Sequence, residues 1–249
     1  MTDKIKVSDL EIAYDDFVLM KNLNFTIKQG DIFIIMGGSG CGKSSLLKIL
    51  TGLKKPKLGK VIIDDINFWE CEEEDRLNIM RKNGLLYQSG ALFSSMTLHE
   101  NIALPLMEYS KYSEGEIKDI VSYKLALVGL YGFNEFYPSE ISGGMKKRAG
   151  LARALALDPE IVYFDEPSAG LDPISAKLLD DLILEINHNL KTTIVIVTHE
   201  LQSIFKVATN SIFLDEELKQ ATGFGNPYEL LKNPPNKKIL NFLTRGEKQ

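Results

Sequence analysis

The segment Gly37–Ser44 reads GGSGCGKS and fits the spacing G-x-x-x-x-G-K-[ST]. Gly37, Gly38, Gly40 and Gly42 let the backbone curl until several N–H groups point at one anion, and a helix opening directly afterwards adds its positive end. In such a loop Lys43 sets a cation against the outer phosphates of a nucleotide, and the Ser44 hydroxyl is placed to ligate Mg2+. One lysine–phosphate pair at ~4 Å, in an effective dielectric of about 20, is worth roughly 4 kcal/mol before desolvation. Ser39, Cys41 and Ser45 complete the loop and its first helical turn. Cys41 works there through its backbone and carries no chemistry of its own.

A second constellation closes the apolar run Ile161–Phe164 with Asp165 and Glu166. Adjacent carboxylates at a strand end are costly unless a cation is near. Asp165 suits a magnesium ion held through water, and Glu166 suits the polarisation of an attacking water. Ser142-Gly143-Gly144 before a helix start makes a second anion-binding nest. His199 follows a third apolar run. His99 and His188 read as ordinary histidines, and Lys146–Arg148 (KKR) reads as the charged face of a helix.

The elements that must position these groups are legible from patterning. Asp31–Met36, Ile161–Phe164 and Thr193–Val197 are rich in β-branched and aromatic residues without alternation, the signature of parallel strands covered on both faces. Each ends in one of the polar motifs, and ligands of open α/β sheets bind beyond the carboxyl ends of strands. Ile5–Tyr14 and Val18–Ile27, with a hairpin-like piece at Gly59–Phe68, predict an antiparallel β lobe. Gly115–Val128 and Lys146–Leu157 show helical spacing within a mostly helical insertion. The fold class expected is α/β: a P-loop NTPase core with a mostly parallel sheet, an antiparallel β lobe and an inserted helical subdomain. The expected division is 1–87 and 159–225 for core and β lobe, 88–158 for the helical subdomain, and 226–249 for a tail with a short amphipathic stretch at Ile239–Leu243.

With 249 residues, 44% hydrophobic and 25% charged, the chain suits one globular unit. A net charge of −5 gives no case for bulk nucleic-acid binding. No apolar run reaches the ~18 residues of a bilayer span, and the charged start is unlike a signal peptide. Cys41 and Cys71 lack metal-ligand spacing and read as free thiols.

Taken in order, these motifs resemble the ATP-binding cassette (ABC) ATPases over nearly the whole chain. Ser142-Gly143-Gly144-Met145 resembles the signature usually written LSGGQ, with Ile141 and Met145 replacing its outer residues. Methionine cannot donate an amide hydrogen bond, but the serine and the glycine N–H groups remain. Ser168–Asp172 resembles the D-loop, His199 the switch histidine and Gln88 the Q-loop glutamine. Tyr14 resembles the adenine-stacking aromatic, with Phe17 as the other candidate. The resemblance implies a homodimer that closes on ATP, with Ser142, Gly143, Gly144, Met145 and Asp172 acting on nucleotide held by the other copy. Catalysis would fall to Glu166, His199, Gln88 and Lys43, and Mg2+ to Ser44, Gln88 and Asp165.

Leu86–Leu106 (LYQSGALFSSMTLHENIALPL) and SGGM are similar to the MCE-associated, Mla-type lipid-trafficking ATPases (MlaF-like). That implies ATP-driven phospholipid transport, a permease resembling MlaE, an MCE-domain lipid-binding protein, and a place on the cytoplasmic side of the inner membrane. It also implies a tail packed on the partner subunit or on a small regulatory protein. Leu92, Phe93, Met96 and Leu98 read as an exposed apolar patch for the permease's coupling helix. The alternatives are an ABC ATPase for amino-acid import or lipoprotein release, and a soluble one acting on DNA or ribosomes. The latter usually carry two cassettes or a long coiled coil. A P-loop kinase or GTPase has no use for the SGG nest.

Overall fold

Two long antiparallel strands open the chain, β1 (Asp3–Tyr14) and β2 (Phe17–Lys28), turning at Asp15. The computed structural model describes residues 2–246; the last three residues of the tail, 247–249, lie outside the described residues. After β3 (Ile32–Gly37) come the loop and α1 (Lys43–Leu50). The hairpin β4 (Leu58–Ile63) and β5 (Ile66–Asn67) joins β1 and β2 in a four-stranded sheet, ordered β2-β1-β4-β5. This is the antiparallel lobe that the amphipathic runs predict.

The larger sheet draws its strands from across the chain. α2 (Glu73–Arg81) leads into β6 (Asn83–Leu86), and the chain then leaves the sheet for three helices, α3 (Leu98–Tyr109), α4 (Glu114–Leu127) and α5 (Gly143–Ala154). It returns through β7 (Ile161–Asp165), α6 (Pro173–Leu190), β8 (Thr193–Val197), α7 (Leu201–Val207), β9 (Asn210–Asp215) and β10 (Gln220–Gly225). The order is β10-β9-β3-β8-β7-β6, parallel throughout except for the antiparallel edge strand β10.

Every residue of β3 and β8 is buried, which explains the unbroken apolar runs. The period of two reappears inside the protein. Ile32, Ile34 and Met36 of β3 join the core beneath the helices, whereas Phe33 and Ile35 join a second core shared with α1 and the β lobe. Each such side chain contributes roughly 1.5–3 kcal/mol of burial.

α3 and α4 each open on a complete capping box, Thr97 with Glu100 and Ser113 with Glu116. α5 starts three residues before the periodic run expected from Lys146, because Ser142 caps it by accepting from the Met145 N–H at 3.3 Å. The tail forms α8 (Pro227–Lys232) and α9 (Lys237–Leu243). Its amphipathic stretch packs on this chain's own core: Ile239 and Leu243 are buried, and Phe242 meets Phe213 edge-on at 5.2 Å. Lys238 pins α9 to Asp215 at 2.8 Å.

The four-residue apolar patch needs correction. Leu98 is 0% exposed and Leu92 packs against the core, whereas Phe93 is 49% exposed. Leu98 is the first residue of α3 and faces inward once Thr97 caps the helix.

Candidate functional site: a phosphate-type loop and an acidic strand end

The loop after β3 has the backbone its glycines permit. Gly37 has φ 151°, and a Cβ there would lie 2.5 Å from the Leu214 carbonyl oxygen and 2.7 Å from Cys41 Sγ, so only glycine fits. Gly42, at φ 95°, turns the chain into α1. Lys43 is buried, and its ammonium donates to the carbonyls of Gly37 (3.0 Å) and Gly38 (2.9 Å). The cation is therefore held against the loop before any anion arrives. Cys41 is buried, and Cys41 and Cys71 are both free thiols.

The ends of β7 and β8 complete the site. The Ser44 hydroxyl donates to Asp165 Oδ1 at 3.1 Å, bridging loop and acidic strand. Burial pushes the Asp165 carboxyl above its ordinary range and the neighbouring Glu166 adds to this, while Ser44, Lys48 and Lys43 oppose. Glu166 sits at φ 48°, a left-handed backbone unusual outside glycine, and its N–H donates to the Val197 carbonyl at 2.9 Å. His199 Nδ1 lies 2.8 Å from Glu166 Oε1. Glu166 Oε2 is buried without a hydrogen-bond partner among the described residues.

These groups surround one cavity of about 730 Å³, lined by Gly37, Gly38, Ser39, Gly40, Gly42, Lys43, Ser44 and Ser45, and by Gln88, Glu166 and His199. Tyr14 stands beside it: its hydroxyl is 3.0 Å from Ser45 Oγ, and Lys54 lies 3.7 Å over its ring. Phe17 carries Lys219 over its ring at 4.7 Å. Ser142, Gly143, Gly144 and Met145 do not line the cavity; they form the start of α5, with Ser142 and Gly143 exposed, Gly144 half-buried beside Ser175 of α6, and Met145 half-buried against the core. Asp172 caps α6, accepting from the Ile174 and Ser175 N–H groups and from the Ser175 hydroxyl at 2.6 Å.

Two features escaped the sequence reading. Asn241, Phe242 and Arg245 of the tail line the same cavity, with Arg245 3.8 Å from Glu200. The KKR triplet is also no simple charged face. Lys147 is only 6% exposed and donates to the carbonyls of Pro167 (2.6 Å) and Ala169 (2.5 Å), and Arg148 donates to the Val128 carbonyl at 3.3 Å. Lys147 precedes Gly150 and Leu151 by three and four residues, which puts it on the buried face of α5; that spacing was the available signal.

A magnesium ion suits this geometry. Among the described residues no group of three or more His, Cys, Asp or Glu side chains could cage a metal. A hydroxyl and one carboxylate 3.1 Å apart suit an ion that takes its other ligands from phosphates and water.

Comparison with known proteins follows the same lines. Residues 20–169 match the ABC transporter family. The chain is 44% identical over 239 residues to the probable ribonucleotide transport ATP-binding protein mkl of Mycobacterium tuberculosis, covering 96% of this chain and 66% of that protein. It is 37% identical over 243 residues to the intermembrane phospholipid transport system ATP-binding protein MlaF of Haemophilus influenzae, covering 98% and 90%. The Escherichia coli MlaF is 34% identical over 239 residues, covering 96% and 88%. Among solved structures, the dimeric post-hydrolysis state of the cassette MJ0796 bound to ADP and Pi superposes with a TM-score of 0.81 at 30% identity, covering 89% of this chain and 98% of that one. Clostridium perfringens cbiO1, part of the cbiONQ transporter complex, gives 0.85 at 28% identity, covering 98% and 97%.

Proposed function

This chain belongs to the ABC transporter ATP-binding family and is an ATPase of that family; from that premise we propose how its site works and what it drives. The observation that carries the proposal is the convergence of the Lys43 loop, Ser44 and the Glu166–His199 pair on one cavity, with Asp165 joined to it through Ser44.

The loop N–H groups and Lys43 bind the phosphates of ATP, Lys43 exchanging its loop carbonyls for phosphate oxygens. Ser44, Asp165 and Gln88 hold Mg2+, which when bound supplies charge for the outer phosphates. Glu166 takes the proton of the attacking water on Oε2, while His199 fixes Oε1 and serves the terminal phosphate. Tyr14 stacks on the base. A second copy completes each site in trans through Ser142, Gly143, Gly144 and Met145, at a helix start whose first residues, Ser142 and Gly143, are exposed. Asp172 approaches the opposite loop from its cap. The dimeric MJ0796 cassette supports this arrangement for a relative.

The cargo reading rests on the MlaF proteins, whose names specify phospholipid transport and whose length this chain nearly spans. We propose an MCE/Mla-type system in which the chain works peripherally at the cytoplasmic face of the inner membrane. Its partners there are an MlaE-like permease, an MCE-domain lipid-binding protein and a small regulatory protein at the tail. Among the described residues no helix is long and apolar enough to cross a membrane; in this reading the permease supplies the span. In this reading a permease helix docks in the groove of about 540 Å³ between Tyr87, Phe93, Leu104, Pro105 and Tyr109. The chain spans only 66% of the mycobacterial relatives, whose name specifies ribonucleotides.

The test is a pull-down of tagged protein from detergent-solubilised membranes, with mass spectrometry of proteins and lipids. A multi-span permease, an MCE-domain protein and bound phospholipid are expected. A permease carrying no phospholipid removes the lipid assignment and leaves the ATPase intact.

A further inference from the structure

Lys147 lies on α5, four residues after the Gly143 that begins that helix, yet it serves a different strand end. Its ammonium is enclosed and meets no carboxylate within ion-pair distance among the described residues. It donates instead to the main-chain carbonyls of Pro167 and Ala169. Those carbonyls belong to the turn that leaves Glu166, a turn closed further by the Ala169 N–H on the Glu166 carbonyl at 3.2 Å and the Leu171 N–H on Ser168 at 3.1 Å. Two flanking atoms, Glu166 Oε2 and Ser168 Oγ, are buried without partners among the described residues.

As a stability device this is poor. A buried ammonium carries a desolvation penalty of several kcal/mol, and an apolar side chain of similar volume often serves a core as well or better. Burial accordingly pushes the Lys147 ammonium below its ordinary range, opposed by the charge of Glu166. The geometry instead suits a mechanical link. α5 is also held to the Gln88 loop, one turn further along: a Cβ on Gly150 would lie 2.8 Å from the Gly90 carbonyl oxygen, and Arg153 donates to that oxygen at 3.2 Å. One helix therefore grips the Gln88 loop and the turn after Glu166 together.

We propose that Lys147 is a positioning residue: it clamps the turn at Pro167–Ala169 onto the signature helix, so that the orientation of the helical lobe is transmitted within one chain to Glu166. This rests on the reading of Glu166 as the base. The link is in cis and needs no second copy. It differs in this from the contacts proposed for Ser142–Met145 and Asp172.

The test uses the full chain with Lys147→Met and Lys147→Arg. In Lys147→Met, kcat at saturating ATP and saturating protein falls about 10- to 100-fold, the scale of a misplaced catalytic group. The Kd for a non-hydrolysable ATP analogue stays within about twofold, because the phosphate loop is untouched. Amide hydrogen exchange at Ser168–Leu171 accelerates in the nucleotide-free protein. Lys147→Arg, which can still donate to both carbonyls, retains most of the turnover and the protection. Unchanged kcat with unchanged exchange overturns the proposal, and so does a loss of affinity that parallels the loss of kcat. If Lys147→Met melts well below the wild type, Lys147→Arg decides: retained protection and turnover support the clamp, and loss of both in a folded protein overturns it. Glu166→Gln in the same assay separates the two readings. Normal turnover there removes the base assignment, whereas hydrogen exchange still reports the clamp.

Discussion

Glu166 combines a left-handed backbone, one oxygen held by His199 and one buried without a partner. Glu166→Gln keeps the shape and removes the carboxylate proposed as the base. It should bind ATP with near-native affinity and lose turnover by about 100-fold or more, the range for general-base catalysis; steady-state ATPase rates beside an ATP titration check this. Asp180 makes a second prediction. Burial pushes its carboxyl above the ordinary range and Asp181 adds, while the Ser203 hydroxyl, donating at 3.1 Å, and Lys206 oppose. A carboxyl harder to ionise folded than unfolded costs stability above its unfolded value and nothing well below it. Asp180→Asn should therefore raise the melting temperature near neutral pH, and the gain should vanish as pH falls through about 4. Parallel melts across that range check the sign. At this scale the sequence was most informative where chemistry dictates residue type. Gly37–Ser44, Asp165 and Glu166 stand out by motif, but Lys147 was misread, because a charge in a KKR triplet looks solvated until the face it occupies is counted. Arg245 was invisible, since nothing local in the tail says that it folds back over the cavity.

Asn101 shows how an element carries a functional loop. It is fully buried in α3; its Oδ1 accepts from the Phe93 N–H at 2.8 Å, and its Nδ2 donates to the carbonyls of Phe93, Met96 and Thr97. It ties down the segment that follows Gln88. Asn101→Ala takes the partner from the Phe93 N–H and the Met96 carbonyl, at roughly 1–3 kcal/mol each before relaxation, whereas the Phe93 and Thr97 carbonyls keep the Met96 and Asn101 N–H groups. The expected result is a lower melting temperature, faster exchange across residues 90–97 and weaker co-purification of a membrane partner. The strands were readable because β3, β7 and β8 are buried on both faces and write themselves as unbroken apolar runs. β6 was not, because Asn83–Leu86 is four residues long and contains Gly84, where a Cβ would lie 2.4 Å from the Ala154 carbonyl oxygen. That glycine serves the packing of α5 on the strand, a tertiary requirement without a local signature.

At the scale of the molecule, two sheets and a helical lobe set the phosphate loop and the α5 start apart within one chain. Ser142–Met145 do not line the cavity that holds Lys43 and Glu166. In the proposed arrangement, two copies related by a two-fold axis bring the α5 start of one to the phosphate loop of the other. The motif order made the family legible. The pairing in trans came only with the resemblance, because no spacing within a chain encodes contacts with another. The most direct test is sedimentation of Glu166→Gln with and without Mg-ATP, beside the same protein carrying Ser142→Asp. Aspartate preserves the α5 cap and sets a negative charge against phosphate. The account predicts that Glu166→Gln sediments as a dimer only with ATP, and that adding Ser142→Asp leaves ATP binding intact but the protein monomeric. A dimer that forms equally well with Ser142→Asp, or no ATP-driven dimer in either protein, would contradict it.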